Sequence, residues 1–148
     1  MTLSENQSGM RRHDHVWRFV PLVLWIGVIF LLSSSQGSFT ETSRIIRPLL
    51  EFLFPTASPE AITFYHGVIR KIAHFTEYAM LGFLAMRAFA AGRAVLASSV
   101  ILIAVATIDE INQSFNPART GAVMDVLIDL AGGAAAILVI RLRRRPKP

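Results

Sequence analysis

With 148 residues, 53% of them hydrophobic and only 17% charged, the chain reads as one small unit too apolar for an ordinary soluble domain. A net charge of +5 and a sequence pI near 10.7 would suit nucleic acid, but no aromatic stacking motif accompanies the basic residues, and nucleic acid is excluded as a partner. The absence of cysteine removes disulfides, thiolate metal sites and cysteine nucleophiles.

A hydrocarbon core of about 30 Å needs roughly 20 apolar residues per helix, so a chain of this length holds about four spans. Residues 1–15 are polar and without periodicity, which predicts a tail in which His13 and His15 are solvated. The first span covers 16–35, apolar from Val16 to Leu32, with Trp17 suited to a membrane interface. A cleaved signal peptide is the rival reading; the long lead of mixed charge and the lack of an A-x-A site weigh against it.

Residues 37–70 form one long connection. Within it, 43–54 (SRIIRPLLEFLF) is amphipathic, the pattern of a segment that lies at a membrane surface. Ser58, Pro59 and Glu60 form a helix-start signature, from which a helical pattern continues toward the second span at 72–90. Spans three and four fall at 94–112 and 122–140, and a basic tail closes the chain at 143–148. The expected fold is an all-α, integral membrane four-helix bundle over 16–142.

Orientation follows from the Lys and Arg residues. Arg11, Arg12, Arg18, Arg87, Arg93 and the five basic residues from Arg141 onward share one side of such a bundle; Arg44, Arg47, Arg70, Lys71 and Arg119 share the other. The richer side is cytoplasmic, which places both termini there and the connection between helices one and two outside. The expected location is the bacterial inner membrane, crossed several times.

On this topology the charged residues of the spans gather at the outer leaflet. Gln36 closes the first span. Lys71, His74, Glu77 and Tyr78 open the second; Asp109, Glu110 and Gln113 close the third; Arg119, Asp125 and Asp129 surround the start of the fourth. His74 with Tyr78, Asp109 with Gln113, and Asp125 with Asp129 are i,i+4 neighbours on a helix face. At 1.5 Å per residue, Glu77 lies about 8 Å and Asp129 about 10 Å inside its span. Carboxylates at that depth normally face a bundle interior or a water-filled cavity and find partners. Gly121, Gly132, Gly133 and Ala136 form a small-residue stripe suited to close helix packing.

At these residues the chain resembles the VanZ-like family of small bacterial membrane proteins. The likeness rests on SSSQ at 33–36, on K-x-x-H-F-x-E-Y from Lys71 to Tyr78 followed by Leu81 and Gly82, and on D-E-x-x-Q from Asp109 with Arg119, Asp125 and Gly132 downstream. Together these cover about 17–140. Two departures stand out: Asp129 where the family usually has Asn, and Pro117-Ala118-Arg119 where it has a Pro-Gly-Arg-like turn. The resemblance implies a role at the cell envelope, with a link to susceptibility to the glycopeptide teicoplanin, and supplies no reaction.

Three functions fit the cluster. As a binding protein it recognises an envelope lipid, a lipid-linked precursor or an amphipathic antibiotic, with Gln36, Lys71, Tyr78, Glu110, Gln113, Arg119, Asp125 and Asp129 around the ligand. As an enzyme on a lipid-linked substrate it uses His74, Glu77 and Asp109 for acid/base chemistry, with Lys71 and Arg119 on an anionic group. A variant of that reading places a divalent metal on His74, Glu77, Asp109 and Asp125. As a scaffold, the charges form an ion-pair network that fixes helix packing.

Overall fold

The structure, a computed structural model, describes the backbone of residues 3–33, 39–89, 91–114 and 123–144, and the side chains of 16–33, 42–89, 92–114 and 124–144. The described residues form five helices: α1 (Leu3–Ser33), α2 (Phe39–Leu53), α3 (Pro59–Ala88), α4 (Ala91–Ser114) and α5 (Val123–Arg143). The element added to the expected four is α2, formed by the amphipathic part of the long connection.

One further difference lies at a helix start. The helix of α1 continues back through the polar residues to Leu3, where the sequence suggested an irregular tail. Once an apolar turn has formed, each added residue gains a hydrogen bond without a new nucleation step. By contrast, α3 starts at Pro59, as the Ser-Pro-Glu signature indicated: the Ser58 side chain accepts from Ala61 N at 3.3 Å and Pro59 occupies the first turn.

At 30 residues, α3 is about 45 Å long, more than a bilayer's hydrocarbon thickness, and its first third runs ahead of the residues, from His74 onward, that hydrogen bond to α1, α4 and α5. Against this first third packs α2. Leu50 and Ile62 are buried between them, Ser43 Oγ hydrogen bonds His66 Nδ1 at 3.2 Å, and Phe54 meets Tyr65 with ring centroids 5.3 Å apart.

The remaining four helices alternate in direction, which is visible at both ends. At one end Ser33 of α1, Gln113 of α4 and Asp129 of α5 meet the middle of α3. At the other, Phe19 packs edge-on against Phe89 at 5.3 Å, and Arg144 donates to the Met86 carbonyl at 3.1 Å, a cation closing the last turn of α3. Between the ends lies an apolar core that includes Leu22, Ile29, Leu81, Ala85, Leu102, Ala106 and Ile137.

Glycines set the distance between α3 and α5. A Cβ on Gly82 would sit 2.6 Å from the Gly133 carbonyl oxygen, and one on Gly132 would collide with the carbonyl of Phe75. Only hydrogen side chains let two helices approach so closely.

The surface is apolar and part of the interior is polar. Leu31, Leu96, Val100, Ile103, Leu127 and Leu138 are exposed, Leu96 to 72%, whereas Ser33, Ser98, Asp109, Gln113 and Asp129 are buried. Among the described residues, two of the four expected spans are long and apolar enough to cross a membrane: Val16–Ser33 in α1, mean hydropathy 2.1, and Gly92–Ser114 in α4, mean hydropathy 2.0. A broad exposed apolar surface around buried polar groups is compatible with a membrane protein.

Candidate functional site

Polar side chains from four helices converge where α1 and α4 end and α5 begins. Tyr78 OH on α3 donates to Asp109 Oδ2 on α4 at 3.2 Å. Gln113 Nε2, one turn along α4, lies 2.8 Å from the same oxygen and 2.8 Å from Ser33 Oγ on α1. His74 Nδ1 on α3 lies 3.1 Å from Asp129 Oδ1 on α5. Trp25 Nε1 donates to the Glu77 backbone carbonyl at 2.9 Å, tying α1 to α3 beside the site.

Helix geometry explains the convergence. His74, Tyr78 and Leu81 recur at i, i+4 and i+7 on the face of α3 that enters the bundle. Asp109 and Gln113 share a face of α4 for the same reason, which lets both approach Tyr78 and Ser33. Asp129 reaches His74 because Gly132 and Gly133, a turn further on, draw α5 against α3.

Beside this cluster lies a half-open cavity of about 180 Å³ between α1, α2 and α3. Leu32, Ile46, Ile69 and Ala73 give it apolar walls, and Ser33, Thr42, His66, Arg70, His74 and Glu77 give it polar ones. His74 belongs to both cavity and cluster. His66 lies ahead of the apolar stretch of α3 that starts at Ile72; burial, and then the nearby Arg70 charge, lower its pKa from the usual imidazole value. At neutral pH it is therefore an uncharged hydrogen-bonding wall of the cavity, and Arg70 is the cation.

Of the residues singled out in the sequence, His74, Tyr78, Asp109, Gln113 and Asp129 come together, the last four fully buried. Glu77, Glu110 and Asp125 are half-buried at the edge, and Lys71 is exposed. Gln36 and Arg119 lie outside the described residues. Tyr78 and Gln113 hold Asp109 in place, which makes them positioning groups.

The cation facing the cavity is Arg70, one residue before Lys71 and about 100° away around the helix. Arg70, His66 and Thr42 are cavity residues that do not stand out as site residues in the sequence. A signal for two of them was present: His66, Arg70 and His74 are spaced i, i+4, i+8, a polar stripe that runs from the first third of α3 into the bundle.

Comparison with curated proteins and with solved structures gives no match. A family model described as VanZ/LLP1 matches residues 18–144, a stretch that contains all five helices apart from the start of α1. That match spans every side chain of the cluster and of the cavity, and the chain belongs to the VanZ/LLP1 family.

Proposed function

We propose that this protein crosses the bacterial inner membrane four times, with both termini in the cytoplasm, and that its cavity opens outward to bind the anionic head of an envelope lipid or lipid-linked precursor. The observation that carries this reading is the mixed lining of the cavity. About 180 Å³ suits a phosphate-sized group and not a whole lipid. Arg70 supplies a planar donor fork for an anion, with His66, Thr42 and Ser33 as neutral hydrogen-bonding partners. The acyl or prenyl chain lies outside, along the exposed apolar residues Ile45, Leu49 and Phe52 of α2 and Ile72 of α3. An amphipathic antibiotic with an acidic group fits the same lining.

Native mass spectrometry of protein released from membranes tests the binding. Anionic lipid is expected to be retained by the wild type and reduced at least tenfold by Arg70→Ala. Equal retention by both would overturn the assignment. Orientation is tested separately, with the lack of cysteine as an advantage. Ser38→Cys is expected to react with an impermeant thiol reagent added outside spheroplasts, and Ala91→Cys is not; the reverse pattern inverts the topology.

The 3.1 Å contact of His74 with Asp129 favours a second reading, turnover of the bound lipid. An imidazole oriented by a carboxylate is the usual arrangement of a general base. Accumulation of one envelope precursor in cells without the gene, reversed by wild type and not by a His74 variant, would distinguish catalysis from binding.

A further inference from the structure

We infer that His74, Asp109 and Asp129 form a binding site for one divalent transition-metal ion, of the zinc or manganese class, at the inner end of the cavity. These residues come from three helices, and one potential ligand atom from each lies within 4.8 Å of the other two. Ligands of a metal held at about 2.0–2.2 Å are roughly 3–4 Å apart, so small side-chain rotations bring the three into place. The set differs from the one the sequence suggested: Asp129, a turn deeper, replaces Asp125, and Glu77 lines the cavity.

A second observation points to a ligand independently of the clustering. Asp109 is 1% exposed and its Oδ1 is buried without a hydrogen-bond partner. Both donors that reach this carboxylate, Tyr78 OH and Gln113 Nε2, lie on Oδ2. Burying one carboxylate oxygen with no partner is costly. Fixing one oxygen with hydrogen bonds while leaving the other bare is how outer-shell groups hold a metal-ligating carboxylate. A cation beside Oδ1 satisfies it and offsets the negative charge of two carboxylates buried together.

Ligand chemistry sets the class of ion. One imidazole and two carboxylates mix borderline and hard donors, which suits zinc or manganese better than calcium, whose sites take six to eight oxygens. Three protein ligands leave coordination positions open, and His74 brings the site to the cavity wall. An anionic head in the cavity would take an open position. That last step rests on the lipid-binding proposal, whereas the metal site does not.

The experiment uses lipid-free protein in detergent, stripped with a chelator, and titrated calorimetrically with Mn²⁺ and with Zn²⁺. One ion per chain is expected at micromolar affinity or tighter. Asp109→Asn and Asp129→Asn are expected to weaken it at least tenfold, and His74→Gln is the second check should an Asp variant fail to fold. Glu60→Gln, at a fully solvated acid, is expected to bind as wild type does. No saturable binding by folded protein, or undiminished binding by the folded ligand variants, overturns the site. Metal binding without lipid retention would leave the site standing and remove the lipid reading; lipid retention without metal binding would do the opposite.

Discussion

Asp109→Ala is expected to remove the protein from the membrane, whereas Asp109→Asn is expected to leave it abundant and inactive. The Ala variant deprives both Tyr78 OH and Gln113 Nε2 of their shared acceptor in the interior. Gln113 Nε2 keeps Ser33 Oγ, but Tyr78 OH is left buried without a partner at a cost of about 1–3 kcal/mol, and the space left by the carboxylate adds to it, together a large part of a small domain's stability. In the Asn variant the amide oxygen still accepts from both donors. Its NH₂ replaces the bare Oδ1, and the cost of burying a charge disappears. Membrane abundance by immunoblot and lipid retention by native mass spectrometry separate the two results. Loss of protein in both variants would mean that the cluster serves packing alone. A fully functional Asn variant would show that the carboxylate charge is not used.

The larger effect on folding is expected from Gly132→Val. Its Cβ would meet the Phe75 carbonyl, a backbone target that moves only if α3 and α5 part. Overpacking costs about 1–3 kcal/mol where flexible side chains yield, and a helix backbone puts this case at or above the top of that range. Little folded protein should survive detergent extraction. Gly27→Ala is the matched control, because nothing lies within 4 Å of that position and alanine favours the helix by up to about 1 kcal/mol. Fluorescence-detected size exclusion after a temperature series should show Gly27→Ala at or above the wild-type midpoint. A Gly132→Val protein with an unchanged midpoint would contradict the close contact between the helices.

How much the sequence disclosed depends on whether a feature is local. The pairing of Asp109 with Gln113 follows from helical spacing alone, and the two are hydrogen bonded at 2.8 Å. The Ser58 cap and the amphipathic pattern of 43–54 were legible for the same reason, though not that the segment forms a helix of its own. The partner of His74 was not, because choosing Asp129 over Asp125 requires the rotation of α5 about its axis. That rotation is set by glycine contacts across two helices. Lys71 and Arg70 could not be ranked either: both are basic and adjacent, and only the docking of α2 shows which one borders a cavity. Docking itself was hidden, since α2 has apolar residues on its packed side, Ile46 and Leu50, and on its open side, Ile45, Leu49 and Phe52.

The backbone contact of Gly82 with Gly133 also bears on selectivity by ionic radius. Helices that touch through their main chains have no side-chain cushion to compress or extend, so the backbones that carry His74 and Asp129 are held at one separation and only side-chain rotation adjusts the span. A frame of that kind takes a small ion at about 2.0–2.2 Å and penalises one that needs 2.3–2.6 Å, such as calcium. Discrimination would then reside in the helix backbones of α3 and α5 as much as in the three ligands they carry.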